Sequence, residues 1–215
     1  MKKQHSSSPG SREQGFELPY KLACEQLTKI SDIEEQCQKS GALYVGPNKI
    51  IIDYLNQPYH ITLPDAEISL EDSKVEVPLK DKILILHYFT LAKGTPSTGI
   101  LINYKQLPGG VSYFPAFSQR AINPFVKHFG QKPELLIDIS SKLGGYKANQ
   151  GDVSVTINAF NHVSITFALW RGDEEFSPSG GILFDANISD YLSTEDITVL
   201  CETIAWKLVK SIPST

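Results

Sequence analysis

Two neighbouring stretches, Val153–Ala159 and Val163–Leu169, alternate apolar and polar residues, and no other feature limits the chain as strongly. Val153, Val155, Ile157 and Ala159 share one parity, and Asp152, Ser154, Thr156 and Asn158 share the other. Val163, Ile165, Phe167 and Leu169 repeat the pattern around Ser164, Thr166 and Ala168. Side chains of a strand point alternately to the two sheet faces, so each stretch reads as a half-buried strand of a hairpin. Parity then sets the loop. A two-residue loop would pair odd positions with even ones and set apolar rows against polar rows. A three-residue loop, Phe160-Asn161-His162, pairs Ala159 with Val163 and keeps both apolar rows on one face. This register sets Asp152 opposite Trp170 and Gly151 opposite Arg171.

The remaining chain supplies further strands and helices. A helix is expected from Glu17, and a capping box of Ser31 and Glu34 opens a second one that ends at Gly41. LYV, KIIIDYL, YHITL and KVEV read as a meander divided by Gly46-Pro47, Asn56-Gln57-Pro58 and Pro64-Asp65. Pro78 opens LKDKILILHYFTLAKG, which is apolar nearly all round and therefore central. Pro115 opens a helix that Pro124 interrupts, and Pro133 opens another. GILFD reads as the last strand, and Ser193-Thr194 caps a final helix whose Ile197, Leu200, Cys201, Ile204 and Leu208 form a core stripe. The fold class is therefore α+β: an antiparallel sheet, with an N-terminal meander and a C-terminal hairpin, and helices packed mainly on one face. Residues 1–15, basic and then Ser-rich, are expected to form a disordered tail ahead of a single domain over 16–215.

Composition excludes several functions. A formal charge of -4 supplies no field for gathering phosphate backbones, so no nucleic acid partner is expected. Cys24, Cys37 and Cys201 are scattered, and read as small buried thiols in a reduced, cytoplasmic protein. The longest apolar run, ILIL, is far short of the roughly 18 residues that cross a bilayer, so no membrane partner is expected. The chain has no H-E-x-x-H and no G-x-S-x-G. GTPSTGI carries the two glycines of a phosphate-binding loop without its lysine.

One stretch asks for a ligand. LWRGDEEF places Asp173, Glu174 and Glu175 in a row between Trp170 and Phe176, and the hairpin register adds Asp152 and Arg171 to the same sheet end. Crowded carboxylates repel one another until a cation joins them. Arg171 supplies one such charge; a divalent cation on Asp152, Asp173, Glu174 and Glu175 supplies another; a solvated acidic turn needs neither. Trp170 and Phe176 are expected to wall a pocket. Asp185 is expected to cap the turn that starts NISDYL. His87, inside the apolar helix, is open to two readings, a buried histidine bonded to a backbone or hydroxyl group, or a general base. Arg120 is open to a carboxylate or phosphate ligand and to an acidic structural partner.

The runs ILILHYFTLAKGTP, QLPGGVSYFPAFSQR, LGG with Gly151-Asp152, WRGDEEF, LFD and YLSTED, in this order, resemble the family of domains of unknown function numbered 3786. Within these runs His87, Tyr88, Tyr113, Arg120, Asp152, Asp173, Glu174, Glu175 and Asp185 occupy family-like positions. The resemblance implies relatives in anaerobic bacteria and archaea, near corrinoid or one-carbon metabolism, some with a cysteine-rich iron–sulfur segment. A corrinoid or other tetrapyrrole enters as a cofactor only through this resemblance, which assigns no activity or catalytic residue. The leading expectation is a binding domain for a small molecule, a cofactor or a partner protein. The alternatives are a metal-dependent enzyme using the acidic rim and a non-catalytic assembly module.

Overall fold

The computed structural model describes residues 15–71, 73 and 75–213. All but Gly15 of the expected N-terminal tail lies outside the described residues. Helices α1 (Glu17–Leu27) and α2 (Ile33–Ser40) lead into four strands: β1 (Leu43–Tyr44), β2 (Lys49–Tyr54), β3 (Gln57–Thr62) and β4 (Glu67–Leu70). Helix α3 (Leu79–Leu91), strand β5 (Leu101–Asn103) and helices α4 (Gly110–Phe117), α5 (Asn123–Phe129) and α6 (Leu135–Ser140) follow. Strands β6 (Tyr146–Lys147), β7 (Val153–Phe160), β8 (Val163–Trp170) and β9 (Ser179–Asp185) and helix α7 (Thr194–Lys210) complete the chain. The fold is α+β with antiparallel pairing throughout: one sheet runs β1-β2-β3-β4 and the other β5-β9-β8-β7-β6. Meander and hairpin thus occupy separate sheets, joined where Leu55 N donates to Ala159 O at 3.0 Å.

Several boundaries differ from the sequence reading. Strand β4 is Glu67–Leu70, not KVEV, of which Lys74 lies outside the described residues. The turn between β2 and β3 is Leu55-Asn56, both at positive φ, as a two-residue hairpin turn with right-handed twist requires. Helix α2 is capped by Asp32, whose Oδ1 accepts from Glu35 N at 2.8 Å, so Ser31 is not the cap. Helix α4 begins at Gly110, five residues before Pro115. Gly110 lies so close to Tyr104 that a Cβ would sit 1.9 Å from its carbonyl oxygen, so only glycine fits. Pro124 does not end that helix: a π-turn over Ser118–Ile122, with Asn123 N bonded to Ser118 O, carries the chain past it.

The hairpin register is as parity requires, from Val153↔Leu169 to Asn158↔Ser164. The loop differs. Phe160 pairs with Val163 across a two-residue turn, Asn161-His162, and a bulge between Asn158 and Phe160 restores the parity. The bulge aims Phe160 inward, into an aromatic stack on Tyr88 (4.0 Å between centroids) and Tyr54 (5.0 Å). Helices α5 and α6 pack on this inner face, Tyr88 of α3 stacks on its Phe160, α7 packs on α3, α5 and α6, and one hydrophobic cluster extends from Ala23 to Leu208. Cys37 and Cys201 are buried within it, whereas Cys24 is partly exposed. No helix of the described residues is long and apolar enough to cross a membrane.

Candidate functional site

The end of the hairpin carries the expected acidic rim, but two of its carboxylates, Asp152 and Asp173, serve the backbone. Asp152 N donates to Leu169 O at 2.9 Å, and Asp152 Oδ2 accepts from Arg171 N at 2.8 Å, closing the strand pair. Asp173 Oδ1 accepts from Phe176 N at 2.7 Å and from Glu175 N at 2.8 Å, which folds the acidic triplet into a tight turn. These two bonds hold the Asp173 carboxyl below its ordinary value. Arg171 Nη2 pairs with Glu134. A shallow cavity of about 470 Å³ lies beside Glu134 and residues 171–178, and Asp152 is not part of its wall. Among the described residues no group of three or more His, Cys, Asp or Glu side chains is arranged to hold a metal ion. The expected metal set of Asp152, Asp173, Glu174 and Glu175 is therefore not assembled. Trp170 and Phe176 wall different cavities, since the Trp170 ring folds back over Gly181.

A second region is built from the polar parity of the strands. One row, Tyr146–Thr156–Thr166–Leu183–Asn103, crosses all five strands on the outer sheet face. Thr156 and Thr166 join their hydroxyls at 2.8 Å, and Ser164 Oγ donates to Asn158 Oδ1 at 2.8 Å. Two loops rise over this floor, residues 97–101 on one side and 146–150 on the other, and the groove between them has a volume of about 480 Å³. Tyr146 and Leu101, both largely exposed, contribute apolar walls.

Asp185 builds one of those walls. It accepts from Ser97 Oγ (2.6 Å), Thr98 Oγ1 (2.8 Å), Thr98 N (3.1 Å), Gly99 N (2.8 Å) and Asn187 N (3.0 Å). Burial pushes its carboxyl up, but the bonds from Ser97, Asn187 and Thr98 outweigh it and hold the group well below the carboxylate range. The amides of the GTPSTGI loop are thus occupied by a carboxylate of the chain itself. Asp185 also caps the turn after β9 through Asn187 N.

The other sequence candidates lie apart from the rim and the groove. Arg120 is held by two acidic side chains of α7: Nε and Nη2 donate to Glu202 Oε2 at 3.0 and 2.9 Å, and Nη1 to Glu195 Oε1 at 2.9 Å. Those bonds outweigh desolvation and raise its pKa. Tyr113 stands 60% exposed on α4, away from the groove. His87 Nδ1 meets Asp196 Oδ1 at 2.7 Å, a carboxylate partner in place of the expected backbone or hydroxyl group, beside a cleft of about 510 Å³. His87, Arg120 and the acidic turn do not converge on one cleft.

The family model described as "Domain of unknown function (DUF3786)" matches residues 32–206. The chain belongs to this family. No curated protein and no solved structure matches it. The DUF3786 match begins after α1, so Glu17–Leu27 precedes the matched residues. In this DUF3786 chain the LHY run splits between two tasks: His87 pairs with Asp196, while Tyr88 stacks on Phe160 and donates to Ser40 O at 2.7 Å.

Sequence reasoning missed Thr156, Ser164 and Thr166 as a surface of their own. Their signal, the polar parity of the two strands, was present but reads equally well as a plain solvated row. It also missed Asp196 as the partner of His87, because 109 positions separate the two residues and only the packing of α3 on α7 joins them.

Proposed function

We propose that this protein is a non-catalytic binding domain whose small-molecule ligand lies on the outer face of the five-stranded sheet. The observation that carries this reading is the groove between loops 97–101 and 146–150, with its hydroxyl floor and its Tyr146 wall. Hydroxyl and amide groups flanked by apolar surface suit a polar ligand with one flat or apolar side. The rigid floor and the Asp185-anchored loop keep the groove formed before the ligand arrives.

The divalent cation does not fit the residues present, because among the described residues no three acidic, His or Cys side chains are arranged to hold one, and Asp173 Oδ1 is spent on two backbone amides. An axially ligated tetrapyrrole fits no better. His162 is the histidine that lines the groove, and its Nε2 edge packs against Gly41, 3.1 Å from the place of a Cβ there. The continuous core supports treating residues 16–215 as one domain. A setting in anaerobic, one-carbon-related metabolism is supported by the family resemblance alone, and a cytoplasmic one by the scattered cysteines.

The test is a thermal-shift screen against a library of polar metabolites, run in parallel on the protein and on Ser164→Trp, which fills the groove from its floor. Ligands that bind the folded state raise the melting temperature. Hits on the parent that vanish in Ser164→Trp are expected. A library without hits, or hits that the variant keeps in full, would contradict the reading.

A further inference from the structure

A second cleft, remote from the sheet groove, surrounds His87. It is walled by Ile30, Thr90 and Leu91 and by the polar side chains Gln26 and Lys29, with Ser193 and Asp196 behind the imidazole. Asp196 is 7% exposed and commits both oxygens. Oδ1 meets His87 Nδ1 at 2.7 Å, and Oδ2 accepts the Ser193 hydroxyl at 2.5 Å and the Ser193 N–H at 3.2 Å. This fixes the ring orientation. The other nitrogen, Nε2, has no hydrogen-bond partner among the described residues, and the His87 side chain is 31% exposed. An imidazole held by a carboxylate at one nitrogen presents the other as an aimed polar group, and as imidazolium both nitrogens donate.

We propose that this cleft binds a small carboxylate with a short apolar chain. One carboxylate oxygen accepts from Nε2–H of His87 in its imidazolium form, Lys29 supplies a positive charge, and the chain lies along Ile30 and Leu91. The charges favour an anion. Asp196 lines the back of the cleft, but its carboxylate is taken up by His87 Nδ1 and by two donors of Ser193, which leaves Nε2 of the imidazolium form and Lys29 to meet an anion. Leu91 is 47% exposed, an apolar side chain at the cleft edge that such a ligand would cover. Gln26, Lys29 and Ile30 precede the family-matched residues 32–206, whereas His87 and Asp196 lie within them. The cleft is therefore completed by a part of the chain outside the family match. The inference stands independently of the sheet groove.

The experiment is an NMR titration with sodium butyrate at constant ionic strength and at about pH 6, where imidazolium forms are populated in general. It follows the His87 ring signal, assigned by its loss in His87→Gln, together with the methyl signals of Ile30 and Leu91. Saturable shifts confined to these residues are expected with butyrate and not with butyramide. His87→Gln should weaken butyrate binding about tenfold, the loss of one charge-assisted hydrogen bond, with Lys29→Met weakening it less. Absence of saturable shifts, equal response to butyramide, or unchanged affinity in His87→Gln overturns the proposal. Should His87→Gln fail to fold by circular dichroism, Lys29→Met decides: undiminished affinity in that variant also overturns it.

Discussion

The inner and outer faces of the five-stranded sheet are made by the same strands and differ in what the alternation sends to them. The inner face receives Val155, Ile157, Phe160, Ile165, Phe167 and Phe184, all at 0–1% exposure. There Phe160 continues a stack from Tyr54 through Tyr88 to Tyr191, with centroids 5.0, 4.0 and 5.8 Å apart. The outer face receives Thr156, Ser164, Thr166 and Asp185: Thr156 bonds to Thr166, Ser164 to Asn158, and Asp185 to the 97–99 loop. One face holds the fold together by excluding water. The other holds the 97–99 loop in place through Asp185 and leaves an open groove. A protein that buries one side of a sheet so fully can leave the other side free for a ligand.

Substitutions sharpen this contrast. Phe160→Ala should destabilise the protein by about 3–5 kcal/mol in urea denaturation, because it opens a cavity between the two sheets. A loss no larger than that of an outer-face variant would break the comparison. Asp185→Ala should cost about 1–2 kcal/mol, since five hydrogen bonds are lost but solvent reaches part of the loop. Acid titration reads the same residue. Its folded carboxyl titrates below the unfolded value near 3.9, so its stabilisation is present above that pH and is lost as pH falls through the folded value. Asp185→Asn should flatten this part of the stability–pH curve. Thr166→Val should cost no more than about 1–2 kcal/mol, because valine keeps the shape and the buried Thr156 hydroxyl alone loses its partner. It should nevertheless weaken groove ligands. The smallest effect belongs to Glu174→Gln with Glu175→Gln. Neither the unfolding midpoint nor its response to millimolar Ca²⁺ or Mg²⁺ should change; a cation-dependent rise in the parent that the pair abolishes would restore the metal reading.

How much of this was legible in the sequence varies by level. The register of β7 and β8 was legible, because parity allows only one face to be apolar and Ala159, Val163 and their neighbours leave no second solution. The route to that register was not: a two-residue turn with a bulge and a three-residue loop conserve the same parity. Gly41 marked the end of α2, and the structure bears this out with Gly41 as its C-cap at φ +70°. Pro115 misled, because the close approach of Gly110 to Tyr104 starts α4 earlier. The candidate site was legible only in part. The acidic letters of LWRGDEEF are visible, yet whether a carboxylate faces a cation or its own backbone amides depends on turn geometry. The pairings of His87 with Asp196 and of Asp185 with the 97–99 loop depend on packing between distant segments.

The proposed ligand site is the outer sheet face and not the acidic turn. The most direct measurement is a map of backbone amide shifts on adding a library hit. Perturbations gathered in residues 97–101, 146–150 and 156–166 are the predicted result. Perturbations gathered in residues 171–178, with the sheet face silent, would contradict the account.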